Sequence, residues 1–202
     1  PSAANNTPGY PLEPRSAEAS DQKPAFAGQT RATHRSANVA FEARRVAGGL
    51  EHPWSIAFLP GGAFLVTERP GRMRVVAADG SKSEPIAGVP EVDARDQGGL
   101  LDVALDPKHA ENGLVYFSYS EPRDGGNGTA VARARLVRDA TPPRLDDLRV
   151  IWRMTPTLDS TKHFGSRLVF ARDGMLFITT GERSISQGRR QAQRLDSAFV
   201  KV

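Results

Sequence analysis

The sequence predicts an all-β protein of repeated blades, corresponding to the first two to three blades of a β-propeller. Three observations carry this expectation. The 202 residues include 15 Pro and 19 Gly, and the apolar runs between them are short, which favours strands and turns over helices. Alternating apolar and polar residues begin near Val39-Ala40-Phe41-Glu42. From there a hairpin pattern recurs along the chain.

The recurring unit is a short apolar strand, a glycine turn and a β-rich strand ending in a hydroxyl residue. It first reads Ser55-Ile56-Ala57-Phe58, Gly61-Gly62, Phe64-Leu65-Val66-Thr67. The second copy is Asp102-Val103-Ala104-Leu105, Asn112-Gly113, Val115-Tyr116-Phe117-Ser118. The third is Arg167-Leu168-Val169-Phe170, Asp173-Gly174, Leu176-Phe177-Ile178-Thr179. The turn glycines Gly62, Gly113 and Gly174 are spaced by 51 and 61 residues. A repeat near this length marks propeller blades, because one hairpin cannot bury its faces whereas sheets stacked around an axis can. Further strands are expected at Arg72–Val76 after the turn Pro70-Gly71, at Thr129–Leu136 after Asp124–Gly128, and at Val150–Trp152. A closed ring needs about four to eight blades, so residues 39–202 read as an incomplete propeller. An ordinary β-sandwich is the competing architecture.

Residues 1–38 are rich in Ala, Ser, Pro, Asn and charge, with Tyr10 and Phe26 as the aromatics. Such a stretch buries too little apolar surface to offset ordering, and it reads as a flexible N-terminal leader. The chain opens on Pro1, which a cleaved signal peptide would explain, as would a boundary drawn within a longer protein. A periplasmic or secreted location is the expectation.

Composition narrows the function classes. No apolar run approaches the ~18 residues of a membrane-crossing helix, so no membrane insertion is expected. The net charge of +4 comes from scattered arginines, densest at Arg189, Arg190 and Arg194 and without interleaved rings. Nucleic acid is therefore not an expected partner. The absence of cysteine removes disulfides, thiolate metal sites and a Cys nucleophile. Gly125-Gly126-Asn127-Gly128 lacks the Lys-Ser or Lys-Thr and the following helix of a phosphate loop, and fits a hairpin turn. Asn5-Asn6-Thr7 and Asn127-Gly128-Thr129 match the glycosylation acceptor pattern, which matters in a eukaryotic secretory setting alone. No two of His34, His52, His109 and His163 have metal-ligand spacing. Asp159, Ser160 and His163 are too close in sequence for a hydrolase triad, whose members converge from distant segments.

Two polar residues stand out by position. His163 lies just before the inner strand of the third repeat, and Gln97 holds the corresponding place before the second. Residues there face the mouth of a propeller's channel, so the two would converge on one pocket.

Four ordered motifs also resemble a known family. They are Gly49-Leu50-Glu51-His52-Pro53-Trp54, Val66–Arg72, Gln97–Pro107 and His163–Phe170. In this order they are similar to the soluble PQQ-dependent sugar dehydrogenases, in the aldose sugar dehydrogenase branch of the glucose/sorbosone type, over about residues 24–202. The resemblance implies a six-bladed propeller with pyrroloquinoline quinone (PQQ) at the channel mouth and calcium beside it. It implies oxidation of an aldose substrate to its lactone, with electrons passed to an acceptor it leaves unnamed. It makes His163 the general base, Gln97 a sugar-site residue and Gln187 a residue lining the cofactor pocket. Metal ligands and the cations that hold the quinone's carboxylates are expected mostly from later blades, so this stretch alone would be inactive. A non-catalytic propeller that binds a protein or sugar is the alternative, as is a truncated, inactive product.

Two departures accompany the resemblance. Lys162 stands where the glucose dehydrogenase branch has an acid, and a cation beside the base would lower its pKa. Val200-Lys201-Val202 stands where the family usually has Gly-Lys-Val, and Val would be a poor substitute if that position needs a positive φ.

Overall fold

The computed structural model describes Ala19, Asp21, residues 23–29 and residues 39–202. Asn5-Asn6-Thr7, His34 and most of the leader lie outside the described residues. The chain divides into two compact units, Pro1–Arg44 and Arg45–Val202. In the first, the Gln29 N–H donates to the Phe26 carbonyl at 3.2 Å, closing a turn. All helices and strands among the described residues lie in the second.

The second unit is three successive antiparallel sheets, the blades of the expected propeller. Blade 1 holds β1 (Pro53–Phe58), β2 (Phe64–Glu68) and β3 (Arg72–Val76) in the order β1-β2-β3. Blade 2 has four strands, β4 (Leu100–Leu105), β5 (Leu114–Arg123), β6 (Gly126–Val137) and β7 (Arg144–Arg153), again in sequence order. Blade 3 contributes β8 (Gly165–Phe170) and β9 (Leu176–Thr180). A single turn of helix, α1 (His109–Asn112), fills the loop before Gly113, and α2 (Ser186–Arg189) follows β9.

Each hairpin follows from its turn chemistry. Gly113 takes φ 66° at the end of α1, a conformation that costs glycine nothing. The glycine-rich stretch divides between turn and strand. Arg123 pairs with Gly126, so Asp124-Gly125 make a two-residue turn while Gly126, Asn127 and Gly128 already belong to β6. Sequence alternation understated β6 and β7, which run longer than expected because both strands pair along most of their length.

One core joins blades 1 and 2. Leu65 and Met73 of blade 1 pack with Leu100, Val103, Val115 and Phe117 of blade 2, all buried. Ala130, Ala132 and Ala134 keep β6 thin enough to be covered on both faces. A smaller cluster of Met154, Leu158 and Phe199 lies against Trp152 and Ile185. Apolar side chains stay exposed on the two flanking sheets, at Ile56 and Phe58 of blade 1 and at Val169, Met175 and Phe177 of blade 3. Such faces are covered by neighbouring blades in a closed propeller.

Polar groups lock the blades together where the innermost strands β1, β4 and β8 run side by side. Asp102 of β4 is 2% exposed. One of its oxygens accepts from Ser55 Oγ of β1 at 2.5 Å and from Arg167 Nη1 of β8 at 2.9 Å. The other accepts the Leu168 N–H at 2.7 Å. Ser118 Oγ extends the lock, donating to the Ser166 carbonyl at 2.8 Å. Blade 1 has its own buried carboxylate, Glu68. Burial opposes its ionisation, but hydrogen bonds from Arg72, the Glu51 N–H and Arg74 outweigh that and hold its pKa below the ordinary range.

The backbone at Val200 has φ 53°, the left-handed conformation for which a β-branched side chain is poorly suited. The departure from glycine noted in the sequence therefore falls where a glycine would be at ease.

Two stability outcomes follow. Asp102→Ala strands Ser55, Arg167 and the Leu168 N–H together and should cost about 3 kcal/mol, read by urea denaturation. Val200→Gly should raise stability by about 1 kcal/mol in the same experiment, because relief of strain exceeds the added unfolded-state entropy.

Candidate active site

The approach to each innermost strand contains one non-glycine residue in the left-handed region: His52 (φ 46°), Asp96 (φ 48°) and His163 (φ 49°). The repeated kink swings the chain from the rim of one blade onto the channel side of the next. Close backbone contacts enforce it. A Cβ on Gly99 would lie 2.0 Å from the Arg69 carbonyl oxygen, which accepts the Leu100 N–H at 2.9 Å. A Cβ on Gly181 would lie 2.1 Å from the His163 carbonyl oxygen. Only glycine lets the chain leaving β9 pass this closely over the histidine.

These loops enclose a cleft of about 620 Å³ lined by Trp54, Arg69, Gln97, Leu101, His163 and Phe164. Its walls come from all three blades. Gln97 and His163 converge there as expected and are joined directly. Gln97 Oε1 accepts the His163 N–H at 2.8 Å, while the Gln97 N–H donates to the Thr161 carbonyl at 3.0 Å. The two chain segments thus brace each other in both directions. Gln187 lies elsewhere, exposed on α2 and not among the residues lining this cleft.

The imidazole has a partner that sequence reading missed. His163 Nδ1 is hydrogen-bonded to the Glu182 carboxylate. A carboxylate can only accept, so Nδ1 is the donor in this contact, which in the neutral ring leaves the lone pair on Nε2. Arg189 Nε lies 3.4 Å from the other oxygen of Glu182. The charged neighbour of the ring is therefore an acid. Lys162 instead lies 3.8 Å from Asp96, which also accepts from Thr161 Oγ1 at 3.2 Å. The spacing of 19 residues between His163 and Glu182 carries no local signal. The β8–β9 hairpin is what returns the chain to the ring.

Arg167 lies over the Trp54 ring at 5.4 Å while holding Asp102, so the cleft wall is fixed from beneath by the same buried carboxylate that joins the blades. No group of three or more His, Asp or Glu among the described residues could hold a metal ion. No helix among them is long and apolar enough to cross a membrane.

Fold and site together define part of a β-propeller with a His–Glu pair at a cleft shared by its three blades. The family model described as Glucose / Sorbosone dehydrogenase matches residues 50–202. The chain is 41% identical over 155 residues to the aldose sugar dehydrogenase YliI of Escherichia coli (strain K12), covering 76% of this chain and 41% of that protein. It superposes on a solved glucose dehydrogenase with a TM-score of 0.72 and 46% identity, covering 77% of this chain and 48% of the other. It also resembles the PQQ-bound form of an aldose sugar dehydrogenase from Streptomyces coelicolor, with a TM-score of 0.64 and 30% identity over 77% of this chain and 45% of that one. The chain belongs to the glucose/sorbosone dehydrogenase family, and it spans less than half the length of each of these relatives.

The His163–Glu182 pair makes a direct prediction. Imidazole ¹⁵N spectra should show His163 as the Nδ1–H tautomer, and Glu182→Gln should populate the Nε2–H tautomer, because an amide can donate to Nδ1 as well as accept. An unchanged spectrum would remove Glu182 as the group that sets the tautomer.

Proposed function

We propose that this chain is the N-terminal part of a PQQ-dependent dehydrogenase that oxidises aldose sugars to lactones, with His163 as general base. The observation that carries the reading is the His163 imidazole, held by Glu182 through Nδ1 in a cleft shared with Gln97. Family membership and the PQQ-bound relative support the cofactor.

The donor set of the cleft fits a flat, oxygen-rich, anionic group. Trp54 offers a ring face, Arg69 a guanidinium, and Gln97 an amide already fixed by its bond to the His163 N–H. Arg69 and Trp54 would hold such a group from this side. The quinone, when bound, supplies the acceptor for the hydride that leaves the sugar carbon. His163 Nε2 takes the proton of the anomeric hydroxyl, so that both products of the C–H and O–H cleavage have a destination. Glu182 favours the imidazolium that results, because its carboxylate already accepts from Nδ1. Gln97 orients the sugar by an amide contact and keeps the His163 backbone in its kink. Calcium finds no ligand cluster among the described residues, and no step here depends on it.

The test uses the full-length protein with PQQ, calcium, an artificial electron acceptor and a panel of aldoses. His163→Ala should lower kcat by at least about 100-fold, the scale of a lost general base. Undiminished turnover would overturn the assignment, and no quinone-dependent turnover in the unmutated protein would point to a binding propeller.

A further inference from the structure

Arg183 is a cation that the chemistry above does not use. It is 1% exposed, yet no carboxylate lies within ion-pair distance of it among the described residues. Its guanidinium is spent on one stretch of chain and one hairpin. Nε donates to the Lys162 carbonyl at 3.0 Å, and Nη2 donates to the Ser160 carbonyl and to Asn127 Oδ1. Nη1 reaches the Asn127 carbonyl at 3.3 Å. The guanidinium also stacks on the Phe164 ring at 3.9 Å. Its own backbone takes part, since the Arg183 N–H donates to the His163 carbonyl at 3.2 Å and the Arg183 carbonyl accepts from Ser160 Oγ.

Burying a guanidinium without an ionic partner is expensive and adds little to stability over an apolar side chain of similar size. A site that tolerates this cost gains geometry from the planar fork, which a lysine ammonium cannot copy. Every acceptor of that fork lies in the turn that ends at His163 or in Asn127 of β6. Asn127 in turn donates through Nδ2 to Asp93 at 2.6 Å, at the root of the loop that carries Gln97. Arg183 itself sits at φ 67° and is followed by Ser184 at φ 57°, two left-handed residues that bring it back under the turn. Burial draws its pKa down to about 10, so it remains charged at neutral pH.

We infer that Arg183 is a positioning residue for the base: its guanidinium clamps the Ser160–His163 turn to the blade-2 hairpin and so fixes where the imidazole stands relative to Gln97. The catalytic consequence rests on the reading of His163 as base, but the clamp itself does not.

The experiment has two arms, both on the full-length protein. The first records ¹⁵N-histidine spectra without quinone, calcium or sugar. Arg183→Lys should broaden or split the His163 imidazole signals, whereas Met73→Ala, a core truncation in blade 1, should lower Tm and leave those signals unchanged. The second measures turnover with PQQ, calcium and an aldose. Arg183→Lys should lower kcat by at least about tenfold with KM changed less than about threefold, as expected for a displaced reacting group. If Arg183→Lys does not fold, Ser160→Ala, which removes one link of the same turn, should perturb His163 in the same direction by less. Wild-type His163 signals in the folded Arg183 or Ser160 variants would overturn the clamp. Retained turnover in His163→Ala would sink the catalytic reading alone and leave the spectral arm to decide the clamp.

Discussion

Asp102 is the point on which this structure turns. One carboxylate, almost wholly buried, accepts hydrogen bonds from a strand of each neighbouring blade. Sheets stacked by apolar side chains alone could slide, because hydrophobic contact is not directional. A carboxylate with fixed donors on both sides cannot move without leaving a buried charge unpaired. It sets the angular relation of β1, β4 and β8, and every loop at the channel mouth inherits its place from those strands. The bond from Arg167 carries the effect to the cleft, since the same side chain covers Trp54.

The second constraint is steric. The chain approaches each innermost strand through a left-handed residue, and glycine stands wherever another segment passes too close for a Cβ. Gly99 lies under the Arg69 carbonyl and Gly181 under that of His163. These contacts make the rim a set of interlocked turns, not a set of free loops. The backbone of His163 is held by Gln97 on one side and Arg183 on the other. For the base proposed above, such restraint would hold the imidazole within hydrogen-bond reach of a sugar hydroxyl.

Electrostatics follows the same plan in which buried charges are placed before exposed ones. Glu68 is kept ionised by two arginines and a backbone N–H, and its stabilisation is present above its unfolded pKa and fades as pH falls through the depressed folded value. Tyr119 shows the opposite case, a phenol pushed up to about 12, chiefly by burial and then by the nearby Glu121. Arg183 is the exception, with no acid within ion-pair distance among the described residues, and it relies on backbone and amide oxygens. The exposed pairs, such as Arg194 with Asp196, are local and contribute little.

Much of this was legible in the sequence because it depends on short-range pattern. The three hairpins, their glycine turns and the edge of β3 at Arg72–Val76 follow from alternation and turn chemistry within about a dozen residues. The convergence of Gln97 and His163 followed from their equal standing in a repeat, since equivalent positions of stacked blades face the same axis. Glu182, Arg183 and Asn127 left no such trace. Their roles arise from contacts between segments 19 to 56 residues apart, where any polar residue in a loop reads alike. Gln187 is exposed on α2, apart from the cleft that Gln97 and His163 share. The sequence by itself determined which strands form and in what order they stack. Tertiary structure alone decided which acid meets the imidazole and which cation fixes its turn, because those choices are made by backbone kinks whose summed angles no local pattern encodes.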